Sequence, residues 1–130
     1  MQPKLDLIGI AVQDMPKALA FYRALGLEIP EEMDKEGHVE ITLSNGLRLA
    51  WDTHEIIKRF DPNWQQPTGS HRMGMAFLCE NSQAVDAAFE RITHMGYTAH
   101  KPPWDAFWGQ RYAQILDPDG NVIDLFAPLS

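Results

Sequence analysis

Residues 121–128 read NVIDLFAP, and an edited copy, NGLRLAWD, stands at residues 45–52. The later copy closes a hairpin. Upstream of it, residues 103–120 read PWDAFWGQRYAQILDPDG, with two tryptophans and a phenylalanine in five residues, then an alternating strand and a tight turn. Asp117 can accept from its own backbone, Pro118 presets φ, and Gly120 takes the left-handed conformation that other residues avoid. The runs on either side, residues 111–116 and 121–126, therefore read as paired strands.

The duplication extends through the chain. Residues 7–12 (LIGIAV) precede Asp14, and residues 74–79 (GMAFLC) precede Asn81. Each is a short strand ending at a helix-capping residue type. Residues 16–25 and 82–95 then carry apolar side chains at helical spacing, and both stop at glycine, Gly26 and Gly96. Short strands are expected at residues 27–29 and 97–100. Two longer strands complete each half, at 39–43 with 47–52 and at 112–116 with 122–127. The chain thus reads βαβββ twice, with a first module at residues 1–53, a connecting segment at 54–71 and a second module at 72–130. One helical turn is expected at residues 54–60.

The chain has 130 residues, 45% of them hydrophobic, enough to bury a core. A net charge of −7 argues against nucleic acid, which needs a basic surface. It suits solubility and is compatible with a cationic small ligand. No apolar run reaches the length of a membrane span, and the first residues lack the pattern of a signal peptide. The lone Cys79 cannot form an internal disulfide. A cytoplasmic location with no membrane partner is the expectation.

The segments GIAVQDMPKALAFYRALGLEIP and WGQRYAQILDPDGNVIDLF resemble the vicinal oxygen chelate superfamily, which includes glyoxalase I, extradiol dioxygenases, and fosfomycin- and bleomycin-resistance proteins. The resemblance covers nearly the whole chain. It implies an α+β fold in which two βαβββ modules form a curved eight-stranded mixed sheet around a cleft, with helices outside. It also implies a homodimer, as many members are. It does not fix a function, because this fold hosts many chemistries.

Strand alternation sorts side chains onto two faces. His38, Glu40, Thr42, Arg48, Ala50 and Asp52 oppose an apolar set that includes Trp51. In the second half Tyr112, Gln114, Asp124 and Phe126 oppose Ala113, Ile115, Ile123 and Leu125. Small residues beside placed polar groups are what a small-molecule site needs, although a solvated sheet face would read the same way. Candidate ligand-binding residues are His38, Glu40, Arg48, Tyr112, Gln114 and Asp124, with Trp104, Phe107 and Trp108 from a loop at the cleft mouth. The aromatic trio reads equally as a wall for ligand or as a core or interface plug. Trp64 falls in the connecting segment, and Trp51 reads as core.

Metalloenzymes of the superfamily place a His or Gln near the start of the first strand of each module and a Glu in the last. The matching positions here are Leu7, Arg48, Gly74 and Asp124. Of these, one alone could coordinate, while a catalytic ion wants about three protein ligands. No metal and no cofactor are expected. The five histidines show no metal-binding spacing, and Arg48 and Asp124 are expected to pair or to share a ligand.

The reading is a metal-independent small-molecule-binding protein of the glyoxalase/bleomycin-resistance type. Its ligand would be an aromatic or cationic natural product, sequestered without chemistry as in antibiotic resistance. Whether any reaction is catalysed stays open, with the residues favouring binding. The alternatives are a metal-dependent lyase, isomerase or dioxygenase, with Glu40, Tyr112 or Asp124 as acid–base groups, and an interaction module without a ligand.

Overall fold

The first helix begins where the sequence supplies its cap. In a computed structural model, which describes residues 2–129, strand β1 (Leu7–Val12) runs into Asp14. The Asp14 side chain accepts from the Lys17 N–H at 3.1 Å, which satisfies one of the free donors at the start of α1 (Met15–Leu25). Gly26 ends the helix at φ 113°, a left-handed conformation that suits glycine.

The next segment departs from expectation. Residues 27–29 are irregular and lead into a short 3-10 helix, Glu31–Lys35. Arg23 explains this. Its Nε donates to the Ile29 carbonyl at 2.7 Å, and its Nη2 donates to the Pro30 carbonyl at 2.9 Å and to Asp34 at 2.8 Å. Carbonyls that a strand would offer to a neighbour are taken by a side chain, and Pro30 has no N–H to give.

Strands β2 (His38–Thr42) and β3 (Arg48–Thr53) follow as a hairpin. The order is β1-β3-β2, with β1 parallel and β2 antiparallel to β3. The Thr53 hydroxyl caps α2 (His54–Phe60) by accepting from Ile56 N–H at 3.3 Å. This helix packs on β3 and β1.

In the second half, β4 (Met75–Leu78) leads to Asn81, which accepts from Ala84 N–H at 2.9 Å and opens α3 (Ser82–His94). Strands β5 (Ala99–Ala106), β6 (Gln110–Leu116) and β7 (Val122–Pro128) complete the order β4-β7-β6-β5. The β6–β7 turn forms as its residues require. Asp117 is buried, its Oδ1 accepts from the Asp119 and Asn121 N–H groups at 2.9 and 2.8 Å, and Gly120 has φ 86°. Strand β5 reaches further than expected and takes in Trp104. Lys101, Pro102 and Pro103 fall among its register shifts, and an edge strand tolerates prolines because its outer N–H groups need no partner.

The architecture is α+β, with two mixed sheets of three and four strands and three α-helices. Instead of one eight-stranded sheet, the described residues form seven strands in two sheets. The chain divides into one unit ending at Thr68 and another starting at Gly69, and each has its own core. In the first, Phe21, Tyr22, Val39 and Trp51 are fully or almost fully buried; in the second, Val85 and Ile92 of α3 meet Ile115 and Ile123. No helix of the described residues is long and apolar enough to cross a membrane.

Trp51 has no exposed surface, and its ring centre lies 5.3 Å from that of Tyr22. Its Nε1 is buried without a hydrogen-bond partner among the described residues. Trp51→Ala should cost about 3–5 kcal/mol of stability, the usual loss for a core tryptophan, read from urea unfolding. Trp51→Phe should cost less, since it also discards an unpaired N–H. A loss within about 0.5 kcal/mol for the alanine variant, as at surface positions, would remove Trp51 from the core.

Candidate functional site

Each sheet has one face covered by helices and one face free of them. The helix-free face of the first sheet follows from the β2–β3 register, which sets His38 opposite Asp52, Glu40 opposite Ala50 and Thr42 opposite Arg48. Polar side chains on this face form a chain of contacts. His38 Nδ1 lies 2.5 Å from Asp52 Oδ1, and its Nε2 lies 2.9 Å from Glu40 Oε2. Arg48 donates to Glu40 at 2.7 Å and to Asp6 at 2.6 Å. With a carboxylate at each ring nitrogen, His38 satisfies both only as the imidazolium. Hydrogen bonds to Asp52 and then Glu40 raise its pKa above the ordinary value of 6.5, while His38 and then Arg48 hold Glu40 below its ordinary 4.5.

The second sheet presents a different face. Its register lines up two rows across four strands. Leu78, Phe126, Tyr112 and Trp104 form one; Ala76, Asp124, Gln114 and Lys101 form the other. Phe107 and Trp108 occupy the β5–β6 turn beside the first row. The Trp104, Trp108 and Tyr112 ring centres are mutually 5.3–6.1 Å apart at angles between 66° and 88°. In edge-to-face contact of this kind the edge of one ring meets the face of another. Leu78 is 68% exposed, Phe107 97% and Trp108 48%.

Polar groups fix the cluster from within. Tyr112 OH donates to Asp124 Oδ2 at 2.6 Å, and Gln114 Nε2 donates to Asp124 Oδ1 at 3.0 Å. Trp108 Nε1 donates to Gln110 at 2.7 Å. Burial, and then Asp124, push the Tyr112 phenol up to about 12. At neutral pH it is a hydrogen-bond donor and not a base. Burial also raises the Cys79 thiol, which disfavours the reactive thiolate.

The expected residues thus fall into two groups. His38, Glu40 and Arg48 meet on the first sheet; Trp104, Phe107, Trp108, Tyr112, Gln114 and Asp124 meet on the second. Trp104 is a strand residue and not part of a loop. Arg48 and Asp124 each find partners inside their own unit. Trp64 packs on His54, ring centres 4.6 Å apart, within the first unit. Three contributors escaped the sequence reading as site residues. Asp52 could have been placed by counting outward from the Asn45–Gly46 turn to His38. Asp6 lies before the first strand and leaves no pattern. Lys101 was hidden by the two prolines after it.

The metal positions do not fit an ion. Leu7 lies opposite Arg48, whose guanidinium is paired with carboxylates. In the second unit the residue opposite Asp124 is Ala76, two places from Gly74, and neither carries a ligand. Among the described residues no group of three or more His, Cys, Asp or Glu is arranged to hold a metal ion. An open groove of about 580 Å³ in the first unit lies between the start of α1, the 3-10 helix and α2, lined by Asp14, Gly37, Thr53 and Ile56 among others. None of the expected site residues lines it.

The family model of the Glyoxalase/Bleomycin resistance protein/Dioxygenase superfamily matches residues 4–125. The chain belongs to that superfamily. Three solved structures show how far the likeness extends. A glyoxalase/bleomycin resistance protein/dioxygenase family enzyme from Burkholderia phytofirmans PsJN is 20% identical over 98% of this chain and 100% of its own, with TM-score 0.83. A glyoxalase/bleomycin resistance protein/dioxygenase from Nocardioides is 24% identical over 100% of this chain and 86% of its own, with TM-score 0.75. A protein of unknown function from Agrobacterium tumefaciens strain C58 is 26% identical over 99% of this chain and 96% of its own, with TM-score 0.73. These likenesses support the superfamily fold and leave the activity open. No curated protein matches the chain.

The His38 clamp makes stability depend on pH. A folded pKa above 6.5 stabilises the protein fully below that value, and the gain is lost as pH rises through the folded pKa. The lowered Glu40 contributes above 4.5 and loses its part as pH falls. Both contributions are present in full between 4.5 and 6.5. A proton NMR titration of the His38 ring should have its midpoint above 6.5, and Asp52→Asn should lower it. A midpoint at or below 6.5 in the unaltered protein would mean that the clamp does not form in solution.

Proposed function

We propose that the protein is a metal-independent small-molecule-binding member of the superfamily, and that its ligand is a planar organic molecule held on the aromatic face of the second sheet. The observation that carries this reading is the cluster of rings at Trp104, Trp108 and Tyr112, with Trp108 about half exposed and Tyr112 fixed by Asp124. Side chains braced by mutual edge contacts and hydrogen bonds lose little freedom on binding, which favours affinity. Sequestration of an aromatic natural product fits such a face. A lyase, isomerase or dioxygenase of the superfamily type would need ligands that Leu7, Arg48 and Ala76 do not supply. The His38–Asp52 pair is no better placed for acid–base chemistry, because carboxylates engage both ring nitrogens.

Leu78 and Phe107 project large apolar surface beside the site, and a second copy of the chain is the partner we assign to cover it, giving a homodimer. Native mass spectrometry of protein purified without a histidine tag reads both proposals at once. The expected mass is about twice the 14.8 kDa of the chain, with no added metal. Stoichiometric zinc, iron, manganese or nickel would overturn the metal-independent reading, and a stable monomer the dimer.

Binding of a neutral planar probe, cinnamyl alcohol, tests the aromatic face by calorimetry. Trp108→Ala should weaken it about tenfold, the equivalent of about 1.4 kcal/mol, and should leave the thermal unfolding midpoint nearly unchanged. A variant that unfolds, or that binds as before, would make Trp108 structural or irrelevant.

A further inference from the structure

The helix-free face of the second sheet carries two charged side chains, Asp124 and Lys101, and they are in opposite situations. Both Asp124 oxygens accept hydrogen bonds, from Tyr112 at 2.6 Å and from Gln114 at 3.0 Å. Both donors therefore point inward at the carboxylate. Lys101 Nζ lies 4.1 Å from the centre of the Trp104 ring. Among the described residues no carboxylate pairs with it. The nearby Arg111 cannot serve the same end, since Asp86 and Asp105 hold its guanidinium. Asp124 keeps its negative charge, but it is half-buried and engaged by Tyr112 and Gln114, so the exposed charged group on this face is the Lys101 ammonium.

We propose that Lys101 makes the aromatic face selective for planar molecules that carry a negative charge, such as an aromatic carboxylate. The inference rests on the small-molecule reading of this face and narrows it. It replaces the cationic ligand that overall charge suggested with an anionic one. Lys101 rests over the Trp104 ring at the margin of the cluster, so its ammonium is within reach of an acid group on a ring bound against Trp108. A cation placed beside Lys101 meets its repulsion, and to use Asp124 it must reach a half-buried carboxylate that Tyr112 and Gln114 already engage. Selectivity is set by the side chains at the site, and a net charge of −7 over the whole chain does not decide it.

Three matched probes test this: cinnamate, cinnamyl alcohol and cinnamylammonium, titrated by calorimetry at low ionic strength. Cinnamate should bind tightest, up to about fivefold above the alcohol, the upper range for one exposed charge pair. Cinnamylammonium should bind weakest. Lys101→Met should abolish the preference for cinnamate while leaving cinnamyl alcohol within about twofold, and Lys101→Arg should keep it. Lys101 is exposed, so folding of these variants should be unaffected, as circular dichroism will show. Equal binding of the three probes, tightest binding of the ammonium, or a preference that survives Lys101→Met would overturn the role of Lys101 and leave the aromatic site standing. If no probe binds, the small-molecule reading itself fails and the inference falls with it.

Discussion

A crossover helix can cover only one face of the sheet it serves. The parallel pairs, β1 with β3 and β4 with β7, require such crossovers, and α1 and α3 supply them. Once α3 packs on Ala113, Ile115, Ile123 and Leu125, side chains at alternate positions must point away from every helix. The opposite faces of both sheets are thus left without a helix by the topology. What they carry is free to be set by function, because packing against helices does not constrain it.

The internal repeat shows that freedom at work. Leu49 and Leu125 correspond in the two copies, and both are buried on the helix side. On the other face the copies part. Arg48 answers to Asp124, and Ala50 to Phe126. Arg48 joins the network of ions in the first unit, and Phe126 lies in the row of rings in the second. The same parallel pairing, β1 with β3 or β4 with β7, carries Arg48 in one unit and Phe126 in the other.

The sequence was most informative wherever one physical signal decided the local structure. Asp14 and Asn81 begin helices because each offers a carboxylate or amide oxygen to free N–H groups. The Asp117–Gly120 turn forms because Asp117 satisfies the backbone around it. Alternation placed Tyr112, Gln114 and Asp124 on one face without knowledge of the neighbouring strands. Legibility ended where a distant partner overrode a local pattern. Arg23 turns residues 27–29 away from a strand by binding the Ile29 and Pro30 carbonyls, and no periodicity reports that. The prolines at 102 and 103 read as a loop because position at a sheet edge, which permits them, is a property of the whole sheet. The ion network was half visible: His38, Glu40 and Arg48 were marked, but Asp6 joins from outside any regular element.

Magnitudes separate the two faces as places for a ligand. Exposed ion pairs such as Arg48 with Asp6 typically contribute between about 0 and 1 kcal/mol, because water competes for each charge. Their donors and acceptors are already matched, so a ligand arriving there must replace bonds without adding area. An aromatic side chain offers about 150–250 Å² of buriable surface, and apolar burial returns about 25 cal/mol per Å². Trp108 is half exposed and Phe107 almost wholly so, which leaves most of that gain unrealised in the free chain. Tyr112 and Trp104 are held in position by neighbours, so little ordering offsets the gain when something covers them. The ionic face has its charges already paired, whereas the aromatic face keeps apolar surface uncovered, so a planar ligand would gain more free energy on the second sheet than on the first.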